Sequence, residues 1–273
     1  KNEFLELDKK LELLKQQGKK VPTKKMIKTT QQIEGIKKAA IVNSGLLDYI
    51  EKNIKAGMST EQIDIMAKDY TKKHNAICAD YQYCGYPKHI CVSVNDEIVH
   101  GIPSKKRVLK EGDIVSLDAG VIHKGYHSDA ARTYGIGKIS DEAAKLIEVT
   151  RQSFFEGIKY AKEGCHLYEI SNAIAQYNES FGYGVIRDLV GHGIGTELHE
   201  EPEIPNFRQD RRGIRLYEGM TLAIEPMVSA GDYKVRWLDD NWTASTFDHS
   251  LSAHYENTVL VTKAGPEILS LVE

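Results

Sequence analysis

Four carboxylates in two matched pairs of segments carry the first chemical signal in this chain of 273 residues. Glu111-Gly112-Asp113-Ile114-Val115-Ser116-Leu117-Asp118 is matched by Glu218-Gly219-Met220-Thr221-Leu222-Ala223-Ile224-Glu225. Each is a Glu-Gly turn, an aliphatic strand pattern and then an acid at the same offset. A second echo sets His127-Ser128-Asp129 beside His254-Tyr255-Glu256. A single Asp at a strand end is ordinarily a cap or turn residue, but Asp118 and Glu225 end apolar strands at equivalent places. A pseudo-two-fold axis would bring them together, with Asp129 and Glu256 joining them. Four carboxylates inside a core repel and raise one another's pKa values, and two divalent ions balance their charge. Bridging carboxylates hold such ions about 3.5–4 Å apart, the spacing of two-metal hydrolases. Oxygen-rich ligation with an occasional imidazole suits Mn, Fe or Co at least as well as Zn. The four cysteines show no Cys-x-x-Cys spacing, which argues against a thiolate site.

The imidazole is supplied by Gly191-His192-Gly193-Ile194-Gly195, where glycines allow close backbone approach around His192 after a strand-like Asp188–Val190. A histidine is more often merely packed or exposed; the glycine frame favours a ligand here. His199, in His199-Glu200-Glu201-Pro202, lies seven positions on, and His100 stands in Val99-His100-Gly101-Ile102-Pro103.

These residues need elements to hold them, and the chain reads as two copies of one plan. Capping boxes at Thr29–Gln32 and Ser59–Gln62 start helices that run to about Gly57 and His74. Strand patterns follow at Ile90–Val94, Asp113–Leu117 and Ala131–Tyr134. The order then repeats, with helices from Ser140 to before Gly164 and from Leu167 to Phe181. Strands follow at Val185–Val190, Met220–Ile224 and Tyr255–Thr262. The expected class is α+β: duplicated half-domains with a central, mostly antiparallel sheet and helices on its outer face.

Residues 1–28 stand outside the duplication, so the division is an extension at 1–28 and a catalytic domain at 29–273. Phe4, Leu7, Leu11 and Leu14 form an apolar helical stripe ended by Gly18, followed by the cluster Lys19, Lys20, Lys24 and Lys25. Packing on the body is the expected use of that stripe; a docking arm for a partner is the alternative. A net charge of −3 gives no reason to expect specific nucleic-acid binding or an anionic membrane as partner. No apolar run reaches the roughly 20 residues of a membrane span. A charged start without an apolar export core and few cysteines point to a reduced, cytoplasmic protein.

The set Asp118, Asp129, His192, Glu225 and Glu256, with Gly-His-Gly-Ile-Gly and His-Glu-Glu-Pro, resembles the type I methionine aminopeptidases from about residue 26 onward. The resemblance implies the pita-bread (creatinase/aminopeptidase) fold, a dinuclear centre of Co, Mn, Fe or Zn, and removal of N-terminal methionine from nascent polypeptides with a small second residue. It implies that Asp118 chelates one ion, His192 and Glu225 the other, and that Asp129 and Glu256 bridge. It makes Glu225 the proton acceptor and His100 and His199 the substrate-contacting, proton-handling histidines. Tyr83, Tyr86, Cys91 and Trp242 become the methionine pocket, and Asn95, Glu97 and Ser252 a monovalent-cation site. It further suggests a monomer with a transient ribosome contact.

Two positions depart from the pattern: Leu198 stands where an aromatic is frequent, and Asp80 where cysteine is common at the pocket rim. The short stretch between His192 and Glu225 leaves no room for the helical insertion of type II. Proline-directed aminopeptidases and prolidases share the metal set but usually carry a substantial N-terminal domain. A catalytically dead binding module would have lost ligands, and all five are present.

Overall fold

The computed structural model describes the backbone of residues 2–273 and the side chains of residues 4–273. An amphipathic helix, α1 (Asn2–Gln16), precedes the first half, which contains α2 (Thr30–Asn53), α3 (Thr60–Lys73), β1 (Ile77–Cys78), β2 (Cys91–Val94), β3 (Glu97–Val99), β4 (Ile114–His123) and β5 (Tyr126–Gly135). The second half holds α4 (Asp141–Ile158), α5 (Leu167–Ser180), β6 (Gly184–Val185), β7 (Gly191–Gly193), β8 (Glu200–Ile204) and β9 (Thr221–Ile224). It continues with β10 (Met227–Ser229), β11 (Val235–Trp237), β12 (Ala244–Thr246), β13 (Ser252–His254), β14 (Asn257–Val261) and β15 (Pro266–Ile268).

The helix starts follow local chemistry. Thr29 and Ser59 each accept from the backbone N–H three residues on, while Gln32 and Gln62 return the bond to the cap N–H. These reciprocal bonds satisfy donors that a helix leaves orphaned at its N-terminus. Every named strand pair is antiparallel, grouped into four sheets.

Each half has its own core. In the first, Leu46, Leu47, Ile50 and Ile63 from α2 and α3 pack on Val92, Val115, Leu117 and Val121 of the sheet. In the second, Phe154, Ile158, Ile170 and Ile174 from α4 and α5 meet Leu222, Ile224 and Val259. The β4–β5 hairpin and the β13–β14 segment join the halves. Ala131 and Glu256 exchange both backbone hydrogen bonds there, at 3.1 and 3.0 Å.

Two local expectations need correction. Asp118 does not end a strand: β4 runs on through Ala119, Gly120 and Val121 to His123, because β5 pairs with it over its full length. Asp188–Val190 is not a strand either; the second-half strand signal resolves into β6 and β7, with an irregular link between them. The strand lies in the glycine frame itself. A Cβ on Gly191 would clash with the Ala223 carbonyl oxygen, so β7 approaches its neighbour more closely than a side chain allows.

Candidate metal centre

The β4–β5 register explains how two carboxylates meet. Asp118 stands opposite Ala131 and Asp129 opposite Gly120, so the two acids are diagonal neighbours on one face of the hairpin. The Thr258 hydroxyl pins Asp129, accepting from its N–H at 2.9 Å and donating to its carbonyl at 2.8 Å. From the other half, Ile224 pairs with Asn257, which places Glu225 and Glu256 one step beyond that pair. His192, in the middle of β7, is flanked by Ala223 and Glu203. Its Nδ1 lies 2.8 Å from the Gly193 carbonyl, which can only accept, so Nδ1 carries the proton and Nε2 turns to the acids. Nε2 stands 3.2 Å from Glu225, 3.5 Å from Asp129 and 3.8 Å from Glu256.

Asp129, His192, Glu225 and Glu256 are all buried, and each offers one donor atom within 4.8 Å of the others. Asp118, His254 and Glu256 form a second such group sharing Glu256. The electrostatics are those of a site built around a cation. Burial, then the charges of Asp129, Glu225 and Asp118, push Glu256 well above the ordinary carboxylate range. Burial and the Asp129 charge do the same to Asp118, while Asp129 rises to about 6, mainly through burial. Glu225 goes the other way: burial opposes its charge, but the neighbouring Glu256, His192 and His254 hold it well below the usual value. Burial alone would lower His192, yet Asp129 and Glu225 push it to about 10.

Buried Asp129 Oδ1 and both Glu256 carboxylate oxygens have no hydrogen-bond partner among the described residues. Orphaned acceptors of this kind are costly unless something cationic meets them. This donor set, carboxylate oxygens plus an imidazole nitrogen, fits divalent metal ions.

The residues expected to hold the substrate have contacts with the acids and with one another. Cys91 pairs with Asp118 across β2 and β4. Tyr86, almost fully buried, donates to the carbonyls of Ile90 and Gly101 and meets Trp242 edge-on at 5.2 Å. His100 lies edge-on to Trp242 at 6.4 Å and holds a left-handed backbone, φ 60°, a conformation concentrated at functional positions. Tyr83 Oη is 2.9 Å from His199 Nδ1, and the His199 ring lies 4.2 Å from that of His192. Burial and the neighbouring His192 lower His199 to about 4; burial also lowers His100.

Comparison with known proteins places this arrangement. The sequence profile of metallopeptidase family M24 matches residues 34–263. The chain belongs to metallopeptidase family M24. Methionine aminopeptidase of Clostridium acetobutylicum is 53% identical over 248 residues, covering 91% of this chain and 99% of that protein. The crystal structure of methionine aminopeptidase from Thermotoga maritima matches with a TM-score of 0.88 at 45% identity, covering 89% of this chain and 98% of that one. X-Pro aminopeptidase from Thermotoga maritima MSB8, 23% identical with a TM-score of 0.72, shares the fold; the match takes in 91% of this chain and 63% of that one. The fold of this M24 metallopeptidase is therefore the pita-bread fold.

The other residues singled out in the sequence have these neighbours. Asn95 and Ser252 meet through a backbone hydrogen bond of 3.0 Å. The Glu97 carboxylate instead accepts from Val94 N–H and lies 3.8 Å from Arg107. Asp80 accepts from Gly120 N–H, and burial followed by the Asp118 charge raises it well above the carboxylate range. Leu198 packs with Ala79, Ile194 and Ala223, filling the wall behind Gly120. The sequence reading passed over His254, whose ring is buried within reach of Asp118, Glu225 and Glu256.

Proposed function

We propose that this metallopeptidase removes N-terminal methionine from peptides and nascent polypeptides, using two divalent ions held by Asp118, Asp129, His192, Glu225 and Glu256. The single observation that carries the reading is the convergence of four carboxylates and one oriented imidazole, with Cys91 paired to Asp118 and Tyr86 against Trp242 nearby. Once bound, the ions supply Lewis acidity and acidify water near neutral pH.

The chain's own groups then have distinct tasks. Glu225, held ionised by its neighbours, is the base that takes the proton during attack on the scissile carbonyl. His199 is neutral at neutral pH and oriented by Tyr83, so it donates to the developing oxyanion. The proton that Glu225 has taken then passes to the leaving amine, either from Glu225 itself or relayed through His100, whose imidazole burial keeps neutral and therefore able to accept it. The excess of buried negative charge offers a counter-charge to a free α-amine, which favours terminal over internal residues. Aromatic rings and a thiol suit a flexible, polarisable thioether. We further propose a monovalent cation near Asn95, Glu97 and Ser252, supported by the meeting of Asn95 and Ser252.

Metal-loaded protein assayed against Met-Ala-Ser and Ala-Pro-Ala tests the reading. Methionine release from the first, abolished by chelation, is expected. Preferential cleavage of the second would favour a proline-directed enzyme, a reading weakened by the partial coverage of the X-Pro relative.

A further inference from the structure

His254 lies on β13, opposite Met227, with its backbone clamped by Thr133. The Thr133 hydroxyl accepts from His254 N–H at 2.9 Å and donates to its carbonyl at 2.8 Å. The residue is 1% exposed, and neither ring nitrogen has a hydrogen-bond partner among the described residues. A buried imidazole left wholly unpaired is unfavourable, so an apolar side chain would serve better if the role were packing alone. The ring is also aimed at acids. Its Nε2 is 3.5 Å from Glu225 Oε1, long for a direct hydrogen bond. It further offers a nitrogen within 4.8 Å of donor oxygens on Asp118 and Glu256.

We propose that His254 is a sixth protein ligand of the metal centre, joining Asp118 and Glu256 at one of the two ions. The proposal deepens the functional reading above and rests on it. A nitrogen at this position converts an all-carboxylate ligand group into a mixed one. It thereby shifts preference from Mn, which favours oxygen donors, toward Fe, Co or Zn, which take imidazole readily. Neutral imidazole also adds no charge to a crowded acidic site, so it strengthens binding without adding to the repulsion among the acids.

The test counts imidazoles on zinc by X-ray absorption spectroscopy of the full chain loaded with two zinc ions. With His192 and His254 both ligated, the average is one imidazole per zinc; with His192 alone it is half. His254→Gln keeps a neutral hydrogen-bond donor beside Glu225 and should halve the count. In calorimetric zinc titrations the same variant should weaken one site about 10–100-fold and leave the other unchanged. An average of one half in the unaltered protein overturns the proposal, leaving His254 as a donor to Glu225. That measurement does not depend on how the variant folds. Failure of the unaltered protein to take up two zinc ions would instead overturn the dinuclear reading beneath it.

Discussion

His192 shows how much one side chain has to settle in this site. Its Nδ1 proton is committed to a backbone carbonyl, so Nε2 must serve the acids as donor when protonated or as ligand when not. In the metal-free chain Asp129 and Glu225 hold it protonated up to about 10, and Asp129 itself keeps a proton up to about 6. Metal ions must displace those protons, so affinity should climb as pH rises and binding should release protons. Calorimetric titration at about pH 6 and about pH 8 should show the stronger binding at the higher value; equal affinities without proton release would contradict it. The same shift fixes a sign for stability. A histidine raised above its ordinary 6.5 stabilises the metal-free fold fully below that value, and the contribution is lost as pH rises through about 10. The acids and His192 were legible because each sits in a repeated or glycine-framed motif. His254 stands in the same echo, aligned with His127, and spacing cannot tell which of the two turns inward. Strand register and burial decide that.

At the scale of elements, a lysine at the edge of the expected extension braces the turn that leads to His199. Lys28 is buried and meets Glu200 at 2.6 Å, while its backbone N–H donates to Gly219. Glu200 uses its other oxygen to gather the N–H groups of Thr196 and Glu197 and the Thr196 hydroxyl. The pair thus fixes the turn that carries His199. Removing one partner of a buried ion pair costs about 3–5 kcal/mol. Lys28→Met should lower stability by that order and depress kcat/KM on a methionyl peptide. Lys28→Arg should restore most of both, because the charge returns. Unchanged thermal unfolding of Lys28→Met would refute this role. Helix starts were readable here because capping boxes are local chemistry. The ends of β4 and β6 were not, because partner strands, not composition, set how far a strand runs.

Across the whole molecule, the duplication is what the sequence displays most openly, and its asymmetry is what the sequence hides. α1 has no counterpart in the second half, yet Leu11 is part of the second-half core and Leu7 and Leu14 pack against it. Lys10 pairs with Glu163 at 2.9 Å, and Lys24 reaches back to Asp8 at 2.8 Å. Full burial of one large aliphatic side chain contributes about 1.5–3 kcal/mol, reduced by the cost of ordering the helix. We propose that residues 1–26, which exclude Lys28, stabilise the body without taking part in catalysis. Deleting residues 1–18 should lower the melting temperature. Methionyl-tripeptide turnover should stay within about threefold where the fold persists, since the metal centre lies in the other elements. Exposed Lys19, Lys20 and Lys25 offer the rival use, a salt-sensitive ribosome contact. A truncated protein that keeps its melting temperature but no longer co-sediments with ribosomes would favour recruitment.

The central claim is that carboxylates from both halves hold two ions in common, and metal stoichiometry of Asp129→Ala tests it most directly. Asp129 lies 3.5 Å from the His192 ring nitrogen and is a diagonal neighbour of Asp118, between the two ligand groups. If it bridges, metal analysis should find two ions on the unaltered chain. The variant should lose both, and methionine release should fall with them. An Asp129→Ala protein that retains two tightly bound ions and normal turnover would contradict the account.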